Sequence, residues 1–170
     1  MNQVVPITLV PVPIRFYGAS VNRDTLTIVA IEKRGDRFET IEAGSAEFKL
    51  PDESGIALRY FKKSVEAHLA VECLAKIVLR IGQHVGKFQC GPLIIRIESA
   101  LELIEGLKVW KVHHQSLRTW QDIHKAELDK PDSGLPMPQV ESRWHATVAA
   151  RLSYGLHHEG HKLKEGKIKY

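Results

Sequence analysis

Residues 76–107 read KIVLRIGQHVGKFQCGPLIIRIESALELIEGL, and a change of period inside this stretch decides the architecture. KIVLRI (76–81) is a short continuous apolar run, as a strand buried on both faces requires. LIIRIESALELIE, from residue 93, instead spaces its apolar residues as a helix does, and Gly106 follows as a stop. Gly86, Gly91 and Pro92 punctuate the link, since glycine lets a backbone turn sharply and proline sets the exit toward a helix. KVWKVH (108–113) then alternates, as the next strand should.

Upstream, RFYGASVNRDTLTIVAIE (15–32) reads as two strands around an Asn22-Arg23-Asp24 turn, the second rich in β-branched residues. Gly35-Asp36 offers a further turn, and RFETIEAGSAEFKLP continues the antiparallel meander. The period changes at Pro51–Gly55. Beyond it, Ile56, Tyr60, Phe61, Val65 and Leu69 share one helical face, with Lys62, Lys63 and Glu66 opposite. SLRTWQDIHKAEL (116–128) reads as a helix, KPDSGLPMP (130–138) as a loop, and VESRWHATVAARLSYGLHH (140–158) as a last helix with small residues on its packing face. The order β-β-β-α-β-α-β-α-α predicts an α/β fold: a mixed sheet of about five strands flanked by helices, with KIVLRI central.

At 170 residues and 44% hydrophobic, the chain suits one domain with a real core. Residues 1–14, interrupted by Pro6, Pro11 and Pro13, read as an extended lead-in rather than a signal peptide. The domain is expected over 15–158 and a basic, solvated tail over 159–170. The net charge is +4, and KLKEGKIKY (162–170) alone carries four lysines against one glutamate. No apolar run is long enough to span a membrane. Cys73 and Cys90 are too few for a disulfide framework and predict a cytoplasmic setting, with Cys90 buried rather than nucleophilic. His157 and His161, four apart, and the pair His113-His114 invite transition-metal binding. No phosphate-binding glycine fingerprint or nucleophile elbow occurs.

FYGASV, the strand–GKF-x-x-G–helix segment and KVWKVHHQSL together resemble the bacterial family called domain of unknown function 3010, in the RuvC-like branch of the ribonuclease-H-like superfamily. The resemblance covers roughly residues 15–120. It implies a ribonuclease-H-like fold, with a site where the strands end. It also implies, for active members, three or four carboxylates holding two magnesium or manganese ions. In this chain Ser20 stands where the first acid is expected, and Ile81-Gly82 where the second is expected. Glu98 matches the early-helix glutamate, Glu141 and His145 fall near the expected third position, and Asp24 could contribute from its turn. That is a depleted set.

Two further expectations follow. Arg80, Lys87, Arg96, Lys108, Lys111 and Arg118 lie near the strand ends and the loop as cations for phosphate, with Phe88, Trp110 and Trp120 for stacking on bases. The leading function is therefore a non-catalytic module binding DNA, RNA or a protein partner, without a cofactor. The alternatives are a magnesium- or manganese-dependent nuclease of Holliday-junction-resolvase type, with Glu98, Glu141 and His145 as ligands, and a structural homodimer.

Overall fold

In the computed structural model the described residues are 4, 6, 14–72, 74–82, 91–125, 128 and 137–170, without the side chains of 137–140. Lys87, Phe88, Cys73 and Cys90 lie outside the described residues.

Three strands come first, β1 (Arg15–Asn22), β2 (Thr25–Arg34) and β3 (Arg37–Lys49). Their reversals lie at the expected turns, where Arg23 (φ 54°) and Gly35 (φ 60°) adopt the left-handed conformation that tight hairpins need. Helix α1 (Gly55–Val71) starts behind Ser54, whose Oγ accepts the Ala57 amide at 3.1 Å. Then follow β4 (Lys76–Ile81), α2 (Pro92–Glu102), β5 (Lys108–His113), α3 (His114–Ile123) and α4 (Met137–His158). The expected alternation of strands and helices is present. Gly106, at φ 79°, ends the segment after α2.

The sheet runs β3-β2-β1-β4-β5. β1 pairs antiparallel with β2 and parallel with β4, and β4 pairs parallel with β5. KIVLRI is thus interior, but the middle strand is β1, because only β1 joins the meander to the crossover strands. Alternate residues of β1 serve two cores. Tyr17, Ala19 and Val21, with Ile77, Leu79 and Ile81, pack beneath Phe61, Val65 and Leu69 of α1 and Ile97 and Leu101 of α2. On the opposite face Val78 and Val112 meet Leu117 and Trp120 of α3 and Val148 and Leu152 of α4, while Phe16 meets Ala146 and Ala150.

The basic stretch 159–170 is a hairpin rather than a free tail. Strands β6 (Lys162–Lys164) and β7 (Lys167–Lys169) pair across Glu165-Gly166, and Gly166 O accepts the His113 amide at 2.9 Å. Leu163 and Ile168 face the core beneath α3 and α4. The lysines that resembled a solvated run are the outer positions of two alternating strands.

Among the described glycines, Gly18 lies tightest against its neighbours. A Cβ there would lie 2.1 Å from both the Ala146 carbonyl oxygen and the Ala150 amide nitrogen. Backbone cannot move aside as a flexible side chain can, so Gly18→Ala must lift α4 off β1. We expect a loss of roughly 3 kcal/mol in denaturant unfolding, larger than that of Gly55→Ala, where a Cβ meets nothing within 4 Å.

Candidate functional site at the carboxyl ends of the strands

Ser20 faces Arg80 across the parallel β1–β4 pairing and Thr27 across the antiparallel β1–β2 pairing. Residues in register share a face, here the one covered by α4. Ser20 is 1% exposed, and its Oγ has no hydrogen-bond partner among the described residues. Beside it, Thr27 Oγ1 and Ser142 Oγ share a hydrogen bond of 3.0 Å, which ties the start of α4 to β2. One turn further on, α4 brings His145 in, while Glu141 stays exposed at the rim.

Glu98 approaches from α2. It is 2% exposed, and its carboxylate accepts the Gly82 amide at 2.9 Å, just beyond β4. Its role is therefore not that of a cap on its own helix, which begins at Gly91 without a side-chain cap. Ile81, at the other position where an acid was expected, points into the α1–α2 core, as the alternation of β4 requires.

The fields of these groups overlap at Arg80. Burial lowers the Arg80 pKa, and the charges of Glu141 and Glu98 oppose that shift. His145 is pushed down to about 4, first by burial and then by Arg80 and His114. The His114 pKa is also lowered, by burial and by the charges of Arg80 and His113. Both imidazoles are thus held toward their neutral forms. Position alone could not single out His114: it opens α3 directly after β5, and the parallel pairing of β4 and β5 carries it to Arg80.

Other expected residues lie elsewhere. Asp24 is taken by Thr25 Oγ1 at 2.9 Å and Lys49 at 3.5 Å. Arg96 is half-buried on α2 and forms no ion pair among the described residues. Trp120 is fully buried, so it packs α3 and is closed to a base. Trp110 is half-buried on the edge strand β5 beside Lys76 and Lys108, and Lys111 is paired with Glu102 at 3.2 Å. His157 contacts Trp110 and Phe16, whereas His161 lies beyond the end of α4, so the two do not share a helical face.

Arg15 and Arg151 show how this chain treats structural arginines. Arg15 bridges Glu32 at 3.0 Å and Glu72 at 2.9 Å, and Glu72 also accepts the Tyr17 hydroxyl at 2.7 Å. Arg151 holds Glu159 at 2.7 Å. Arg80 has no such partner among the described residues. A cleft of about 700 Å³ lies at the opposite end of β1, around the Arg15–Glu72 network, and shares no lining residue with the Arg80 cluster.

Against known proteins, the model of the family described as "Protein of unknown function (DUF3010)" matches residues 14–154. No curated protein matches. Among solved structures, Thermus thermophilus RuvC superposes with a TM-score of 0.61 at 10% identity, covering 85% of this chain and 96% of that one. T. thermophilus RuvC in complex with Holliday junction substrate gives 0.62 at 8% identity, covering 85% and 97%. The fold is therefore ribonuclease-H-like, of the RuvC type.

The depressed His145 pKa has a testable sign. Between about 4 and the ordinary value of 6.5 the unfolded chain binds a proton that the folded chain refuses. Stability should therefore fall as pH drops through that window, by on the order of 1–2 kcal/mol after solvent screening. Histidine resonances followed by NMR should place His145 near 4, and Arg80→Gln should move it upward. A titration near 6.5 in both proteins would refute the arrangement.

Proposed function

The chain belongs to the DUF3010 family and has a RuvC-like fold, and on that footing we propose that it is a nucleic-acid-binding module in which a cation has replaced the catalytic carboxylates. The observation that carries this reading is Arg80 beside Ser20 at the carboxyl ends of β1 and β4, without an ion pair among the described residues. A guanidinium offers five donors in a planar fork suited to phosphate oxygens. Its partial burial raises the strength of any such contact. Lys87 and Phe88 follow β4 in the chain and Arg96 follows on α2; they are the further contacts, two cations for phosphate and a ring to stack on a base.

The donor set does not fit two hard divalent ions. Magnesium and manganese take charged oxygens, yet the Ser20 hydroxyl is neutral, one Glu98 oxygen already receives the Gly82 amide, and Glu141 lies at the rim. The positive charge of Arg80, which acts on the same ground as Glu98 and Glu141, opposes a divalent ion there. The neutral imidazoles of His114 and His145 instead leave Arg80 as the principal charge facing an anionic ligand.

T. thermophilus RuvC, which shares the fold, forms a complex with Holliday junction substrate, which makes a four-way DNA junction the natural probe. The purified chain should bind a labelled junction in EDTA, with affinity falling steeply as salt rises. Arg80→Ala should weaken binding and lower the salt slope by about one counterion. Cleavage of the junction with magnesium or manganese, abolished by Glu98→Gln, would establish the nuclease reading instead. Binding that ignores both salt and Arg80 would also overturn the proposal.

A further inference from the structure

A second polar cluster lies at the far end of α4. His124, Glu159 and His161 each turn a metal-ligating atom toward the others, all within 4.8 Å. His161 Nε2 stands 3.2 Å and His124 Nε2 3.8 Å from the same oxygen, Glu159 Oε2. The His124 Nδ1 lies 3.2 Å from the Trp120 carbonyl. A carbonyl can only accept, so Nδ1 carries a proton there, and Nε2 is the ring atom turned toward the carboxylate. His161 Nε2 is buried, and although close to Glu159 it has no aligned hydrogen bond. The ligating atoms of all three side chains therefore face one another.

Other parts of the fold hold the three side chains in place. Gly155 sits within α4, where glycine costs about 0.5–1 kcal/mol relative to alanine. A Cβ there would lie 2.4 Å from His161 Cδ2, so the glycine admits the imidazole ring. Gly160, at φ 75°, reverses the chain beyond α4 and sets His161 against Glu159. The His124 ring stacks on Trp120 with centroids 4.2 Å apart and planes at 19°. Arg151, which is 3% exposed, grips Glu159 Oε1 at 2.7 Å and leaves Oε2 toward the histidines.

We propose that His124, Glu159 and His161 form a zinc site that staples the C-terminal hairpin to the end of α3. Two imidazoles and one carboxylate are a borderline donor set, which zinc accepts and magnesium does not. Ligands at zinc-bond length lie about 3.3 Å apart in a tetrahedron, so the 3.2 and 3.8 Å separations need little adjustment. The Trp120 carbonyl and Arg151 orient ligands as outer-shell groups do. Three protein ligands leave the fourth position to water. The Arg151 charge is offset by Glu159 and by the Phe38 face, 4.4 Å from the guanidinium carbon. This inference is independent of nucleic-acid binding, since the Arg80 cluster lies at the other end of α4.

The test is titration of chelator-stripped full chain with zinc, and with cobalt(II) as a spectroscopic reporter. One saturable site, intense visible bands of four-coordinate cobalt, and a melting temperature raised by about 5–10 °C at a hundredfold excess over Kd are expected. His161→Ala should weaken zinc by more than the roughly 10–100-fold that outer-shell losses cost. Arg151 leans on Glu159, so Glu159→Gln risks unfolding. His124→Phe keeps the stack on Trp120 while removing both ring nitrogens, and should lose zinc with its metal-free melting lowered only slightly, by loss of the hydrogen bond to the Trp120 carbonyl. His157→Ala and His158→Ala should leave binding intact. Absence of a saturable site would overturn the proposal. So would a pale six-coordinate cobalt spectrum, or binding that survives His124→Phe and His161→Ala but not the His157 and His158 changes.

Discussion

Direct backbone contact between β1 and α4 at Gly18 is the constraint on which the rest of this structure depends. A helix normally stands off a sheet by the length of its side chains, but here α4 lies on the middle strand with Ala146 and Ala150 against it. That helix covers 22 residues, about 33 Å, and so reaches both ends of the sheet. Near its start the Thr27–Ser142 hydrogen bond and His145 meet the carboxyl ends of β1 and β4. At its end Arg151 and Gly155 organise Glu159 and His161. A shift of α4 would disturb both clusters together.

The two clusters treat charge in opposite ways. Around Arg151, a buried guanidinium is balanced by a carboxylate and by aromatic faces, as burial of a cation demands. Around Arg80, burial is partial, the carboxylates act only through their fields, and two imidazoles are driven toward neutrality. In the first arrangement the cation is held by a carboxylate whose other oxygen faces two imidazoles. In the second the cation has no ion pair among the described residues. A single α/β scaffold thus holds two buried or part-buried arginines in opposite ways at its two ends.

Much of the Arg80 cluster was legible in the residues. The missing acids at Ser20 and at Ile81-Gly82 already implied a depleted site, and Glu98 and His145 do lie within the field of Arg80 or respond to it. What linear order concealed was the relation between Ser20 and Arg80. They are sixty positions apart in the chain and become neighbours only through a parallel pairing whose register no local pattern specifies. The same holds for His124 and His161, from different elements. A helical spacing of four favoured His157 as the partner of His161, but the helix ends at His158 and Gly160 turns the chain away.

The sequence by itself determined the order and type of the elements, because periods of two and 3.6 and the glycines at the turns are local properties. It also determined which acids are absent. Tertiary structure alone decided that β1 rather than β4 is the middle strand, that the lysine-rich end folds back as a hairpin, and that Trp120 is sealed in the core. The reason is physical: strand order, burial and the meeting of distant charges depend on which surfaces exclude water together. That is a property of the packed molecule and not of any short stretch of it.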